Sequence, residues 1–160
     1  MRDVYKVSVI GLPQTGKTSI VKLLCEGKVT KEYSPTIGLE IDRAVVNGVE
    51  IVAWDYGGKK QFQPLWKEFL AGTSIVMVVT DSTTQNVMET KKLIEELKKT
   101  LPHANIIVIA NKQDLAGAIP AAQIENMVNV KTVGISAINQ SCREKLLLCL
   151  REVLYKNISA

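Results

Sequence analysis

Cysteine is scarce in this chain, with three residues among 160. Cys25, Cys142 and Cys149 form an odd set without a CxxC spacing, which excludes a disulfide framework and offers no zinc pattern. Cys25 and Cys149 lie among leucines and read as buried free thiols, as in a reducing, cytoplasmic compartment. No apolar run reaches the roughly 18 residues that a spanning helix needs. No signal peptide opens the chain, because Met1-Arg2-Asp3 leads straight into a strand-like run. Arg2 stands where N-myristoylation needs glycine, and Asn157-Ile158-Ser159-Ala160 lacks a prenylation cysteine, so no lipid anchor is expected. Internal repeats and low-complexity linkers are missing too. The only histidine, His103, falls in a Pro-containing turn and reads as a surface residue, not a base.

Positive charge is in small excess. Twenty Lys and Arg against 16 Asp and Glu give +4, too little and too dispersed for a nucleic-acid face. Lys91-Lys92 and Lys98-Lys99 read as the solvated side of a helix. A length of 160 residues, 46% hydrophobic and 22% charged, predicts one domain over 1–160 with an ordinary core.

What is present alternates strand and helix. Val4–Ile10 is a short apolar run followed by a Gly/Pro loop, and Thr18–Leu24 reads as a helix. Leu39–Val46 and Val49–Trp54 flank Asn47-Gly48, a strong hairpin signal because both central residues of a type I′ turn need positive φ. Ile75–Val79 and Ile106–Ala110 are unbroken apolar runs of the kind covered on both faces. Between them Val87, Ile94, Leu97 and Leu101 share one helical stripe, with Ser82 and Gln85 as a capping box. A helix from Pro120 to about Val128, a strand over Lys131–Ile135 and a C-terminal helix capped by Ser141 and Glu144 follow. Leu146, Leu150 and Val153 on that last helix are a core stripe. The alternation predicts an α/β sheet wound on both faces, with the hairpin as an antiparallel edge.

Gly11-Leu12-Pro13-Gln14-Thr15-Gly16-Lys17-Thr18 fits GxxxxGK[ST] after a strand and opening a helix. Glycine permits the turn that aims several N–H groups at one point, and the helix adds its free amides and positive end. Gly11, Gln14, Thr15, Gly16, Lys17, Thr18 and Ser19 are therefore expected around a phosphate, with Lys17 on its outer oxygens and Thr18 offering a hydroxyl to Mg²⁺. The alternative is a chance glycine turn. Asp55 ends a strand beside that loop, the place for a carboxylate holding Mg²⁺, although a strand-ending Asp is also a common turn residue. Gly58 lets a backbone N–H approach a γ-phosphate. Asn111-Lys112-Gln113-Asp114 follows a buried strand. There the Asp114 carboxylate can accept from both the ring N–H and the exocyclic amine of guanine, a donor pair adenine lacks. Ser136-Ala137 ends the next strand, where a loop amide can meet the guanine O6.

Taken together, these motifs resemble the small Ras-superfamily GTPases, and within them the Arf/Arl branch. The branch-like traits are Trp54-Asp55-Tyr56-Gly57-Gly58, Pro64-Leu65-Trp66, Asn111–Leu115 and Ala121-Ala122-Gln123-Ile124. The resemblance implies a P-loop three-layer fold whose sheet has six strands, the second antiparallel. It implies that Thr36 coordinates Mg²⁺ and senses the γ-phosphate, and that Lys17, Thr36 and Gly58 serve hydrolysis. It further implies GTP and GDP as ligands, and an exchange factor, an activating protein and effectors as partners of a monomeric protein, peripheral to a membrane only through those partners. Leu39, Trp54 and Phe69 match apolar positions that such proteins expose to effectors; the competing reading is that they are core.

Three departures qualify the resemblance. Lys59 stands where a water-orienting glutamine follows the glycine pair, so slow intrinsic hydrolysis is expected. Pro13 lacks an N–H and stiffens the phosphate loop. The chain starts a few residues before its first strand, where Arf proteins carry an amphipathic helix; the sequence leaves open whether membrane coupling is absent or the start trimmed. Two other readings compete: a GTP-binding scaffold with negligible turnover, favoured by Lys59, and a P-loop kinase. The kinase reading calls for an arginine-rich lid, and Arg2, Arg43, Arg143 and Arg151 are scattered.

Overall fold

The computed structural model describes residues 5–26, 29–34, 39–46, 48–55 and 70–159. Its strands are β1 (Tyr5–Gly11), β2 (Thr30–Ser34), β3 (Leu39–Val46), β4 (Val49–Asp55), β5 (Ile75–Thr80), β6 (Asn105–Ala110) and β7 (Thr132–Gly134). Its helices are α1 (Lys17–Cys25), α2 (Thr84–Thr100), α3 (Ala121–Val128) and α4 (Cys142–Ser159). One sheet runs in the order β2-β3-β4-β1-β5-β6-β7. From β4 to β7 all pairs are parallel, whereas β3 is antiparallel to both β4 and β2.

The α/β reading with helices on both faces holds, and the count of six strands is corrected to seven among the described residues. The additional strand is β2, which pairs Lys31 with Asp42 and Glu32 with Ile41 at the sheet edge. Lys31, Glu32 and Tyr33 are all exposed, so no buried alternation announced it. Its side chains instead match charges across the ladder: Glu32 meets Arg43 at 3.5 Å, and Arg43 continues to Glu50. Charged side chains are also what keeps an open edge from pairing with other chains.

Strand periodicity divides the core into two layers. Along β5, Ile75, Met77 and Val79 join α1 and α4 residues such as Ile20, Leu24, Leu146 and Leu150. Val76 and Val78 point the other way, to Val87, Leu93, Ile94 and Leu97 of α2 and Ile124 of α3. Leu150 and Leu146 confirm the stripe on α4, and Lys91, Lys92, Lys98 and Lys99 lie exposed on α2 as expected. Cys25 and Cys149 are buried thiols outside any disulfide, and burial pushes the Cys149 thiol up from its ordinary value.

One local expectation changes. The cap of α2 is Thr83, whose hydroxyl accepts from the Asn86 amide at 3.3 Å, and not Ser82. Ser82 adopts φ +68° and turns its hydroxyl to the Asn111 carbonyl instead. At the β3–β4 turn, Val46 pairs with Val49 and Gly48 has φ +80°, as the hairpin reading requires; Asn47 lies outside the described residues.

Candidate functional site

In an open parallel sheet the crevice lies outside the carboxyl ends of the strands, where the chain order switches direction. Here that point is β1, flanked by β4 on one side and β5 on the other, with Gly11 in register with Asp55 and Val79. A Cβ at Gly11 would stand 2.6 Å from the Val79 carbonyl oxygen, so only glycine fits the exit from β1. The loop then passes through two left-handed residues, Gln14 at φ +66° and Gly16 at φ +96°. Gly16 is the N-cap of α1, and no side chain caps it. The first amides of α1 thus keep their donors and positive dipole end facing the loop.

The loop is stapled from within and from outside. The Thr15 hydroxyl and the Lys17 ammonium both donate to the Leu12 carbonyl, at 3.0 and 2.7 Å, which curls the buried Lys17 over the loop. Asn111 donates through its amide nitrogen to the Thr15 carbonyl at 2.9 Å, and Lys112 donates to the Gln14 carbonyl at 2.9 Å. The Thr18 hydroxyl donates to Asp42 Oδ2 at 2.7 Å.

Next to the loop lies a cavity of about 240 Å³. Gly16 and Ser19 of the loop and α1 line it together with Asn111, Lys112, Asp114, Ser136 and Ala137. The Ser136 hydroxyl donates to Asp114 Oδ1 at 2.5 Å and fixes that carboxylate. Ala137 donates its N–H to Asn111 Oδ1 at 2.9 Å, so the amide expected to meet a guanine O6 is engaged within the protein in this structure. Asn111, 2% exposed, therefore joins the phosphate loop to the β7–α4 loop through one side chain.

Gly11, Gln14, Thr15, Gly16, Lys17, Thr18, Ser19, Asn111, Lys112, Asp114, Ser136 and Ala137 are thus brought to one crevice, and Asp55 ends its strand there. Thr36, Gly58, Lys59 and Phe69, and the side chains of Leu39 and Asp55, lie outside the described residues. Trp54 corrects the exposed effector reading at its position: it is 5% exposed and packs with Ile10, Ile41 and Val52. It points to the α2 face because it alternates with Ala53 along β4. His103 is exposed and remote from the crevice elements, as expected.

Sequence reading missed several residues here. Gln113 donates to the Ser82 hydroxyl at 2.8 Å and to the Ile119 carbonyl at 2.9 Å, which anchors the 111–114 turn to two neighbouring loops. Leu115 and Ile138, 55% and 82% exposed, form apolar walls of the cavity. Large exposed apolar side chains bordering a cavity suit the flat faces of an aromatic ring. Their positions beside the 111–114 and 136–137 motifs were the only available signal.

A sequence profile of the ADP-ribosylation factor family (Arf) matches residues 2–151. Similar proteins include ADP-ribosylation factor-like protein 5A of Mus musculus, 33% identical over 134 residues, covering 81% of this chain and 73% of that protein. ADP-ribosylation factor-like protein 5 of Caenorhabditis elegans is 34% identical over 137 residues, with 81% and 74% covered. ADP-ribosylation factor-like protein alp41 of Schizosaccharomyces pombe is 34% identical over 128 residues, with 78% and 68% covered.

Proposed function

This chain belongs to the ADP-ribosylation factor family of GTP-binding small GTPases, and from that membership we propose that its crevice works as a slow, Mg²⁺-dependent guanine-nucleotide switch. The whole chain, 1–160, is read as one such domain. The observation that carries the reading is the Asn111 side chain, which locks a phosphate loop and a base pocket into one site.

The geometry of the described residues supports the roles proposed for them. Loop amides and the uncapped start of α1 bind phosphate, and Lys17, already folded over the loop, neutralises its outer oxygens. Asp114, held at one oxygen by Ser136, presents the acceptor that guanine's two N–H donors require. Leu115 and Ile138 cover the faces of the base. For Mg²⁺, the Thr18 hydroxyl held against a carboxylate, with Asp55 ending the neighbouring strand, is an all-oxygen set suited to a hard cation. Thr18, Asp55 and Thr36 would hold the ion, which when bound offsets charge developing on the phosphoryl oxygens. Thr36 and Gly58 are assigned to sensing the γ-phosphate, so that GTP orders the segments carrying them and hydrolysis releases them.

Leu39 and Phe69 are assigned to effector binding. An exchange factor and an activating protein complete the proposed cycle of a cytoplasmic monomer that reaches membranes through partners. Among the described residues no helix is long and apolar enough to cross a membrane.

Lys59 favours a second reading, a GTP-binding scaffold with negligible turnover. A protonated lysine offers no acceptor to orient water, whereas glutamine does. Single-turnover hydrolysis of preloaded GTP separates the two readings. The switch reading expects slow but measurable turnover that rises in Lys59→Gln. Equal rates in wild type and variant would overturn the role given to Lys59, and no detectable turnover in either would leave the scaffold.

A further inference from the structure

We propose that Asp42, which lies in no nucleotide-binding motif, is a positioning residue for the Mg²⁺ site, acting through the Thr18 hydroxyl; the inference rests on the Mg²⁺ reading above. Asp42 is paired with Ala53 of β4, and cross-strand neighbours share a face. It therefore lies on the α1 side of the sheet, one step beyond Ala44, which packs in the α1 core layer. That placement brings its carboxylate to the first turn of α1, where Oδ2 accepts the Thr18 proton at 2.7 Å. The side chain is only 12% exposed, and its other oxygen lies 3.9 Å from the Lys31 ammonium of β2. Each carboxylate oxygen thus has a separate partner.

A threonine hydroxyl has one proton and two lone pairs, and its rotor chooses where they point. Donation to Asp42 fixes the rotor and directs the lone pairs away from the carboxylate. A hydroxyl whose lone pair meets a divalent cation becomes a stronger donor, so the bond to Asp42 tightens when the ion binds. The carboxylate also adds a negative charge one hydrogen bond from the ion. Partners that orient a metal ligand in this way are typically worth about 10- to 100-fold in metal affinity. The competing account is that the Thr18–Asp42 bond only ties α1 to β3. In that account Asp42 contributes to folding and the ion does not sense it.

The test is the Mg²⁺ concentration at which the full chain retains bound fluorescent GDP, read as release rate against free Mg²⁺. Asp42→Asn keeps shape and removes charge, and Asp42→Glu keeps charge on a longer stem. Thermal melts without Mg²⁺ report folding separately. The expected result is a 10- to 100-fold rise in the Mg²⁺ midpoint for Asp42→Asn, a smaller rise for Asp42→Glu, and little further change when Asp42→Asn is added to Thr18→Ala. If Asp42→Asn fails to fold, the Asp42→Glu midpoint decides alone. A midpoint within twofold of wild type in the folded variants would overturn the proposal. So would a shift of full size on the Thr18→Ala background. Release from wild type that ignores Mg²⁺ altogether would instead overturn the Mg²⁺ reading beneath it, and the inference with it.

Discussion

At Gly16 the backbone has φ +96°, and a Cβ there would stand 2.3 Å from the Asn111 side-chain nitrogen. Relief would have to come from Asn111, which is held at both ends, by the Thr15 carbonyl and the Ala137 amide. Gly16→Ala therefore combines about 1–3 kcal/mol of backbone strain with the loss of those bonds. The expected outcome is a lower urea midpoint together with weaker GDP binding; unchanged binding in a folded variant would contradict the central place given to Asn111. Gly11, Gly16, Lys17, Asn111 and Asp114 were legible in the sequence because each motif encodes a local backbone demand at fixed spacing. Asp42, Ser82 and Gln113 were not. Their partners stand 24, 29 and 31 residues away, and only the folded sheet brings them together. Trp54 was legible as a large apolar residue, but its face depended on the register of β4.

Among the elements, α2 shows how a helix start can serve two purposes. Thr83 supplies the cap, while Ser82 is buried and bonded to the Asn111 carbonyl at 2.7 Å and to the Gln113 amide at 2.8 Å. Thr83→Ala is expected to cost about 1 kcal/mol of stability, the usual worth of a cap, with GDP affinity little changed. Ser82→Ala leaves buried partners unsatisfied, costs about 1–3 kcal/mol, and is expected to weaken GDP binding as well. Denaturant melts and GDP titrations on both variants check this, and the reverse order of effects would refute it. Helices α1, α3 and α4 and the central strands were readable from periodicity, since each presents a continuous apolar face to one of the two core layers. Strand β2 was not, because backbone pairing and exposed charges hold it without burying a side-chain pattern.

For the molecule as a whole, a sheet buried on both faces leaves its carboxyl edge as the open crevice. The phosphate loop, the 111–114 turn and the 136–137 loop all leave strands at that edge. The two hydrophobic layers hold these loops in place without entering the site, and the loops are then bonded to one another by Asn111 and Lys112. The central claim is that this edge selects guanine through Asp114. The most direct measurement is the equilibrium affinity of the full chain for GDP and for ADP, side by side in the presence of Mg²⁺. A carboxylate accepting two N–H bonds from one base and none from the other is expected to favour GDP by roughly a thousandfold or more. Comparable affinities for GDP and ADP, or binding of neither, would contradict the account.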